Sequence, residues 1–291
     1  MLNLICNVKM MEKYVKEMKF DLTKAPLGKL SHAQIQRGYA ILADIEQKVT
    51  KKIFSKVAHS LTSLSSQYFT HIPHDFGFRR LPIIDTIEAV GDEVELLRSL
   101  DEITVAVSLN HGAAQLHPLT KVYANLKCDL ALASNDECDF VRRYIAQSHG
   151  ETHTNYTLEL DTLYSVSRHD ERTIKGPKSK TNWHYLWHGS RLTNMAGIMS
   201  RGLRIAPADA PVTGYMFGKG VYFADCASKS ANYCHATVEE PTGLLLLCRV
   251  ALGKEKEVFD ADERLPASLG KFDSIKVSYS LYCWFLIEFK N

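Results

Sequence analysis

The feature that most limits the fold is a change of hydrophobic period near residue 118. Before it, apolar residues recur at helical spacing. Leu4, Val8, Met11, Val15 and Met18 form one stripe, with Lys9, Glu12, Lys13 and Lys16 opposite. Pro26 and Gly28 interrupt the chain. Ser31 with Gln34 three residues later is a capping-box signature, opening a second helix with Ile35, Tyr39, Leu42, Ile45 and Val49 on its apolar face. A third helix is predicted through Phe54, Val57, Leu61 and Leu64 into Tyr68-Phe69, followed by a turn at 72–77. Val90, Val94, Leu97, Leu100 and Ile103 predict another over about residues 87–109. Residues 110–118 are polar, contain glycine and end at a proline, which makes them the expected linker. Beyond that point the pattern shortens. Residues 186–187, 220–224 and 244–252 read as strands, with one helix kept at 141–147. The run from Leu244 to Val250 predicts a strand buried on both faces. The expected fold class is therefore α+β, with an all-helical domain at 1–118 and an α+β domain at 119–291.

Composition removes several function classes. Formal net charge is +2, so bulk electrostatics give no drive toward nucleic acid. No apolar run approaches the ~18 residues of a transmembrane helix, and no membrane association is expected. Residues 1–9 lack the basic segment and apolar run of a secretory signal. Seven cysteines without a C-x-x-C pair point to a reducing compartment rather than a disulfide framework.

The chemistry is concentrated between residues 186 and 235. Leu186-Trp187-His188-Gly189-Ser190 ends a predicted strand with a histidine and then a glycine, where backbone can approach a ligand closely. Pro211-Val212-Thr213-Gly214-Tyr215-Met216-Phe217-Gly218-Lys219-Gly220-Val221-Tyr222-Phe223-Ala224-Asp225 comes next, then Ser228-Lys229-Ser230-Ala231-Asn232-Tyr233-Cys234. Glycines, aromatics and hydroxyls in this mixture suit a flat ligand with polar edges. Gly218-Lys219-Gly220 is no Walker A loop, since Thr213 and Gly220 stand where Gly and Ser or Thr are needed. It is no Rossmann turn either, because strand-like Val221-Tyr222-Phe223 comes after it. His149 and His153, four residues apart, lack the glutamate and thiolates of a zinc site. Taken singly, Trp187, Tyr222 and Tyr233 would be core aromatics.

Taken jointly, this block resembles the NAD-binding core of the poly(ADP-ribose) polymerase family. Lys24-Ala25-Pro26-Leu27-Gly28-Lys29-Leu30-Ser31 and the segment 72–77 resemble the helical regulatory domain of its DNA-damage-responsive, nuclear branch. The resemblance implies a helical domain that limits NAD access, packed on an antiparallel ADP-ribosyltransferase domain. It also implies transfer of ADP-ribose from NAD to proteins, the chain itself included, and extension to polymer. NAD enters as substrate and no metal is implied. His188 would hold the adenine-side ribose. Gly189 would pair its backbone with the nicotinamide amide, Ser230 would add a hydrogen bond, and Tyr233 would stack on the ring. Tyr222 would pack on the same ring and, with His188, form two members of a His-Tyr-Glu triad. Ser190, Asn194 and Arg204 would lie near the adenosine, with Tyr215 also binding and Lys219 and Lys229 bordering the site. DNA would be met only through domains outside this chain.

One departure stands out. The third triad member sits in an Asn-Glu-Tyr context, and none occurs after Tyr233. Resemblance stops after Lys276, so the expectation is a domain incomplete at its C-terminus, lacking its last strands. Glu288 is read as a tail carboxylate rather than a replacement. A catalytically impaired NAD-binding module or a non-enzymatic interaction fragment is the alternative.

Overall fold

The computed structural model describes residues 1–51, 57–109, 117–170, 182–213, 215, 217–260 and 271–278, with 284–287 as backbone. Five helices come first: α1 (Leu2–Ile5), α2 (Val8–Glu17), α3 (His32–Thr50), α4 (Val57–His71) and α5 (Ile87–Ser108). The stripe beginning at Leu4 is thus two helices instead of one. Asn7 divides them, its side chain accepting the Met10 N–H at 3.1 Å to cap α2. The capping box at the start of α3 is complete, Gln34 N–H bonding Ser31 Oγ and Ser31 N–H bonding Gln34 Oε1. Residues 52–56, which include predicted-helix residue Phe54, and residues 110–116 of the expected linker lie outside the described residues. Pro118 opens α6 (Pro118–Leu126) as its first residue, where its missing N–H costs nothing.

The second part contains β1 (Cys128–Leu132), α7 (Asn135–Gln147), β2 (Tyr164–Arg168), β3 (Trp183–Gly189), α8 (Leu192–Arg201), β4 (Val221–Ala224), α9 (Ala227–Ala231), β5 (Leu245–Ala251), β6 (Glu255–Val258), β7 (Ser274–Val277) and β8 (Trp284–Ile287). Strands β1 and β2 form a small antiparallel sheet. The others make a six-stranded sheet in the order β5-β3-β4-β8-β7-β6. Its pairings are antiparallel except β6 with β7, which run parallel. The fold is α+β, as expected. Strand β5 departs from the sequence reading: it is an edge strand, and Leu245 to Cys248 are half-buried. Continuous apolar runs also arise when a strand's second face is covered only in part.

Two features of this architecture shape the site. Helix α8 belongs to the second part, yet Met195, Ala196, Ile198 and Met199 share one core with Val15, Leu42, Leu97 and Ile103 of the helical part. Apolar burial of this kind contributes roughly 1.5–3 kcal/mol per large side chain, so the helical part is docked, not tethered. The second feature is a splay in the sheet. Strand β3 pairs along its whole length with β5 but meets β4 only at Trp187↔Ala224. Past that point the two strands diverge, and His188 and Gly189 line the opening.

Candidate functional site

His188 spans the splay. Its Nδ1 lies 2.9 Å from the carbonyl of Tyr222, an oxygen that can only accept, so the proton sits on Nδ1. Nε2 therefore presents a lone pair, and among the described residues it is buried without a hydrogen-bond partner. Burial pushes this imidazole down from an ordinary value of 6.5 to about 4, against an opposing contribution from the Tyr222 carbonyl. At neutral pH the site thus offers a fixed, neutral acceptor. Phe223 meets the ring edge-on at 5.8 Å and keeps it in place.

The next residue must be glycine. A Cβ on Gly189 would stand 1.8 Å from the carbonyl oxygen of Ser230, so β3 and α9 approach here as closely as backbone allows. Ser230 is 2% exposed and donates its hydroxyl to the Trp187 carbonyl at 3.0 Å. The lone pairs of that Oγ can still accept an amide N–H from a ligand. Helix α9 is held by residues outside the motif. Ser228 Oγ meets the Gly150 N–H at 2.8 Å and His153 Nδ1 at 2.7 Å, while the Tyr156 hydroxyl has its one proton within reach of both the Ser228 carbonyl and Asn232 Oδ1. His153 thus positions α9, and His149 Nε2 bonds the His153 carbonyl at 2.9 Å. Sequence reasoning weighed these histidines only as metal ligands, and nothing local marks Tyr156.

Tyr222 forms the opposite wall. Its hydroxyl donates to the Gly218 carbonyl at 2.6 Å and accepts the Phe217 N–H at 3.2 Å. Gly218 adopts φ +87°, a backbone region that L side chains avoid, which makes this tight turn possible. Burial raises the phenol well above its usual range, so it stays protonated. Tyr215 stacks on it, centroids 6.4 Å apart and planes 23° apart. Tyr233 follows α9 in a short 3₁₀ turn (Asn232–Cys234) and is half exposed. Lys229 on α9 is half-buried.

The remaining sequence-predicted residues divide. Ser190 and Asn194 are both buried and joined, Asn194 Nδ2 donating to Ser190 Oγ at 3.1 Å. Arg204 faces the helical part, 3.8 Å from Asp101. Lys219 is committed elsewhere: its ammonium donates to the carbonyls of Pro207, Ala208 and Ala210 at 2.5 to 2.9 Å, stapling the loop before it. Glu288 lies outside the described residues, and in the β4–β8 register Leu286 stands opposite Tyr222.

Contacts between the two parts were invisible in the sequence. Glu46 of α3 accepts from the backbone N–H of Val212 at 3.1 Å and of Thr213 at 2.6 Å, and from the Thr213 hydroxyl. Glu95 of α5 pairs with Arg191 at 3.1 Å. Asp101 and Glu102 pair with Arg201 at 2.9 and 2.8 Å. Gly197 makes the last of these possible, since a Cβ there would lie 1.7 Å from the Glu102 carboxylate.

A docked all-α unit over a splayed sheet, with a histidine and a tyrosine on adjacent strands, defines the class: a helical unit joined to an α+β unit. Family models agree. "Poly(ADP-ribose) polymerase, regulatory domain" matches residues 1–123, and "Poly(ADP-ribose) polymerase catalytic domain" matches 135–278. Poly [ADP-ribose] polymerase 2-A of Oryza sativa subsp. japonica is 44% identical over 268 residues, covering 90% of this chain and 40% of the rice protein. Poly [ADP-ribose] polymerase 2 of Homo sapiens is 42% identical over 268 residues, 91% of this chain and 45% of the human one. Poly [ADP-ribose] polymerase 1 of Xenopus laevis is 43% identical over 277 residues, 93% of this chain and 28% of the frog protein. The chain belongs to the poly(ADP-ribose) polymerase family. It spans less than half the length of each of these relatives.

Proposed function

We propose that this chain is the NAD-cleaving unit of an ADP-ribosyltransferase, acting on protein side chains in the nucleus. The observation that carries the reading is the buried Nε2 of His188, unpartnered among the described residues, beside the Gly189–Ser230 approach at the splayed end of β3. A buried acceptor without a donor is costly, and a ribose hydroxyl would satisfy it. In this reading nicotinamide lies between Gly189, Ser230, Tyr222 and Tyr233, its amide N–H donating to Ser230 Oγ. Ser190, Asn194 and Arg204 border the adenosine, with Tyr215 and Lys229 beside them. Clamping the amide orients the leaving group while the C–N bond opens through an oxocarbenium-like transition state. Tyr222 serves as a fixed wall, since its hydroxyl is already bonded at both ends of the 217–218 turn.

Extension to polymer demands more. The attacking ribose hydroxyl needs a base, worth roughly 10²–10⁴-fold. No Asn-Glu-Tyr follows Tyr233, so Glu288 is the tail carboxylate to test. The experiment supplies NAD labelled in its adenylate half and tracks label on denatured protein. Label retained on protein is expected. Its absence, with benzamide still bound, would reduce the chain to an NAD-binding module. A polymer ladder lost in Glu288→Gln would assign that residue to the acceptor side.

A further inference from the structure

We propose that Ser148, the residue that closes the C-terminal end of α7, is a positioning residue for the nicotinamide site. This rests on the placement of nicotinamide proposed above and adds a side chain that acts on that site from outside it.

The site needs two walls at a fixed separation. Gly189 stands on β3 and Ser230 on α9, and a ligand amide must meet both at once. The walls are already as close as backbone allows, since a Cβ on Gly189 would overlap the Ser230 carbonyl. Any drift of β3 from α9 takes one partner out of hydrogen-bond reach.

Ser148 is bonded to both walls. Its carbonyl accepts the N–H of Ala227, the first residue of α9, at 2.7 Å. Its hydroxyl oxygen accepts the indole N–H of Trp187, two residues before Gly189 on β3, at 3.1 Å. The hydroxyl proton goes to the Tyr144 carbonyl at 2.6 Å, which leaves the lone pairs for the indole. Tyr144 also stacks on Trp187, centroids 5.5 Å apart and planes 21° apart. Ser230 completes the circuit by donating to the Trp187 carbonyl at 3.0 Å. The end of α7, β3 and α9 are thereby closed into one hydrogen-bonded ring.

This ring has little slack. Trp187 is 2% exposed, so its indole N–H cannot turn to water when the Ser148 hydroxyl is removed. The stranded donor must shift to find another acceptor, and β3 shifts with it. Ala227 is fully buried and keeps its bond to the Ser148 backbone, so α9 stays behind. Gly189 and Ser230 then separate. Ser148 lies 39 residues before Trp187, which is why the motif itself does not announce it.

The test titrates benzamide calorimetrically into the whole 291-residue chain and its variants. Ser148→Ala should weaken benzamide about tenfold, and Ser148→Thr, which keeps the hydroxyl, should restore most of the affinity. In a Ser230→Ala background the further loss from Ser148→Ala should be clearly smaller, because the group it positions is gone. A residue that merely supports the fold would give the same further loss in both backgrounds. No loss in Ser148→Ala, no recovery in Ser148→Thr, or losses that multiply in full would overturn the proposal. Should Ser148→Ala fail to fold, Ser148→Cys, whose sulfur is a weak acceptor, is read by the same outcomes. If the unmodified chain fails to bind benzamide, the nicotinamide site itself is wrong and this inference falls with it. If benzamide binding depends on Ser230 but not on Ser148, only the inference falls.

Discussion

Removing the Glu46 carboxylate tests how the two units are joined. That carboxylate holds the loop leading to Tyr215 through the N–H groups of Val212 and Thr213 and the Thr213 hydroxyl. The three donors respond differently to its loss. Val212 is 38% exposed and its N–H can turn to water, whereas Thr213 is 5% exposed and both of its donors would be stranded. Two stranded donors at about 1–2 kcal/mol each put the cost of Glu46→Ala near 2–4 kcal/mol. If that energy is what keeps the loop closed, local opening becomes about 30- to 1,000-fold more frequent, at 1.36 kcal/mol per factor of ten. Hydrogen exchange read by mass spectrometry on a peptide covering 211–215 measures this directly. Glu46→Gln keeps one carbonyl acceptor and should fall between. Exchange accelerated less than threefold in Glu46→Ala would show that the carboxylate does not anchor the loop.

Three further outcomes are expected of the site. Gly189→Ala would bring a methyl 1.8 Å from the Ser230 carbonyl, where real contacts stay above 3.0 Å. The shift of β3 from α9 should cost about 1–3 kcal/mol in thermal stability and abolish benzamide binding; retained binding would remove this pair from the site. His188 accepts a proton at about 4 when folded and near 6.5 when unfolded. Below pH 6.5 the unfolded chain takes up a proton that the folded chain refuses, so stability should fall by roughly 3 kcal/mol toward pH 4. His188→Gln should flatten that slope, and an equally steep slope in the variant would place its origin elsewhere. Tyr222→Phe keeps the ring but strands the Gly218 carbonyl and Phe217 N–H. It should lower stability by about 1–3 kcal/mol without altering the pH dependence of nicotinamide release, and an altered pH profile would assign the hydroxyl a chemical role.

What was legible in the sequence depended on distance along the chain. The capping box at Ser31 and Gln34 and the stripe through Val90 and Ile103 are local patterns, and both elements stand where those patterns put them. The proposed site could be read from the chain between 186 and 235 because most of its residues fall in that one stretch. Ser134 with Glu137 caps α7 by the same local rule, so the helix starts well before the stretch read for it. Strands β1 and β2 escaped notice because they pair across more than thirty residues with mostly exposed side chains and no clean alternation. Glu46 was unreadable for a related reason. It is an ordinary polar residue on a helix, and its meaning arises only when the helical unit docks on a loop encoded far away. Lys219, expected to border the site, donates its ammonium to the carbonyls of Pro207, Ala208 and Ala210, a long-range use its motif does not announce.

The central claim is that nicotinamide sits between Gly189 and Ser230 at the end of β3. Calorimetric titration of benzamide into the unmodified chain and into Ser230→Ala addresses it most directly. The hydroxyl lost in Ser230→Ala would leave a ligand amide N–H unpaired, at about 1–3 kcal/mol, so affinity should fall roughly 5- to 150-fold while the protein stays folded. Binding of equal strength to both proteins would contradict the account.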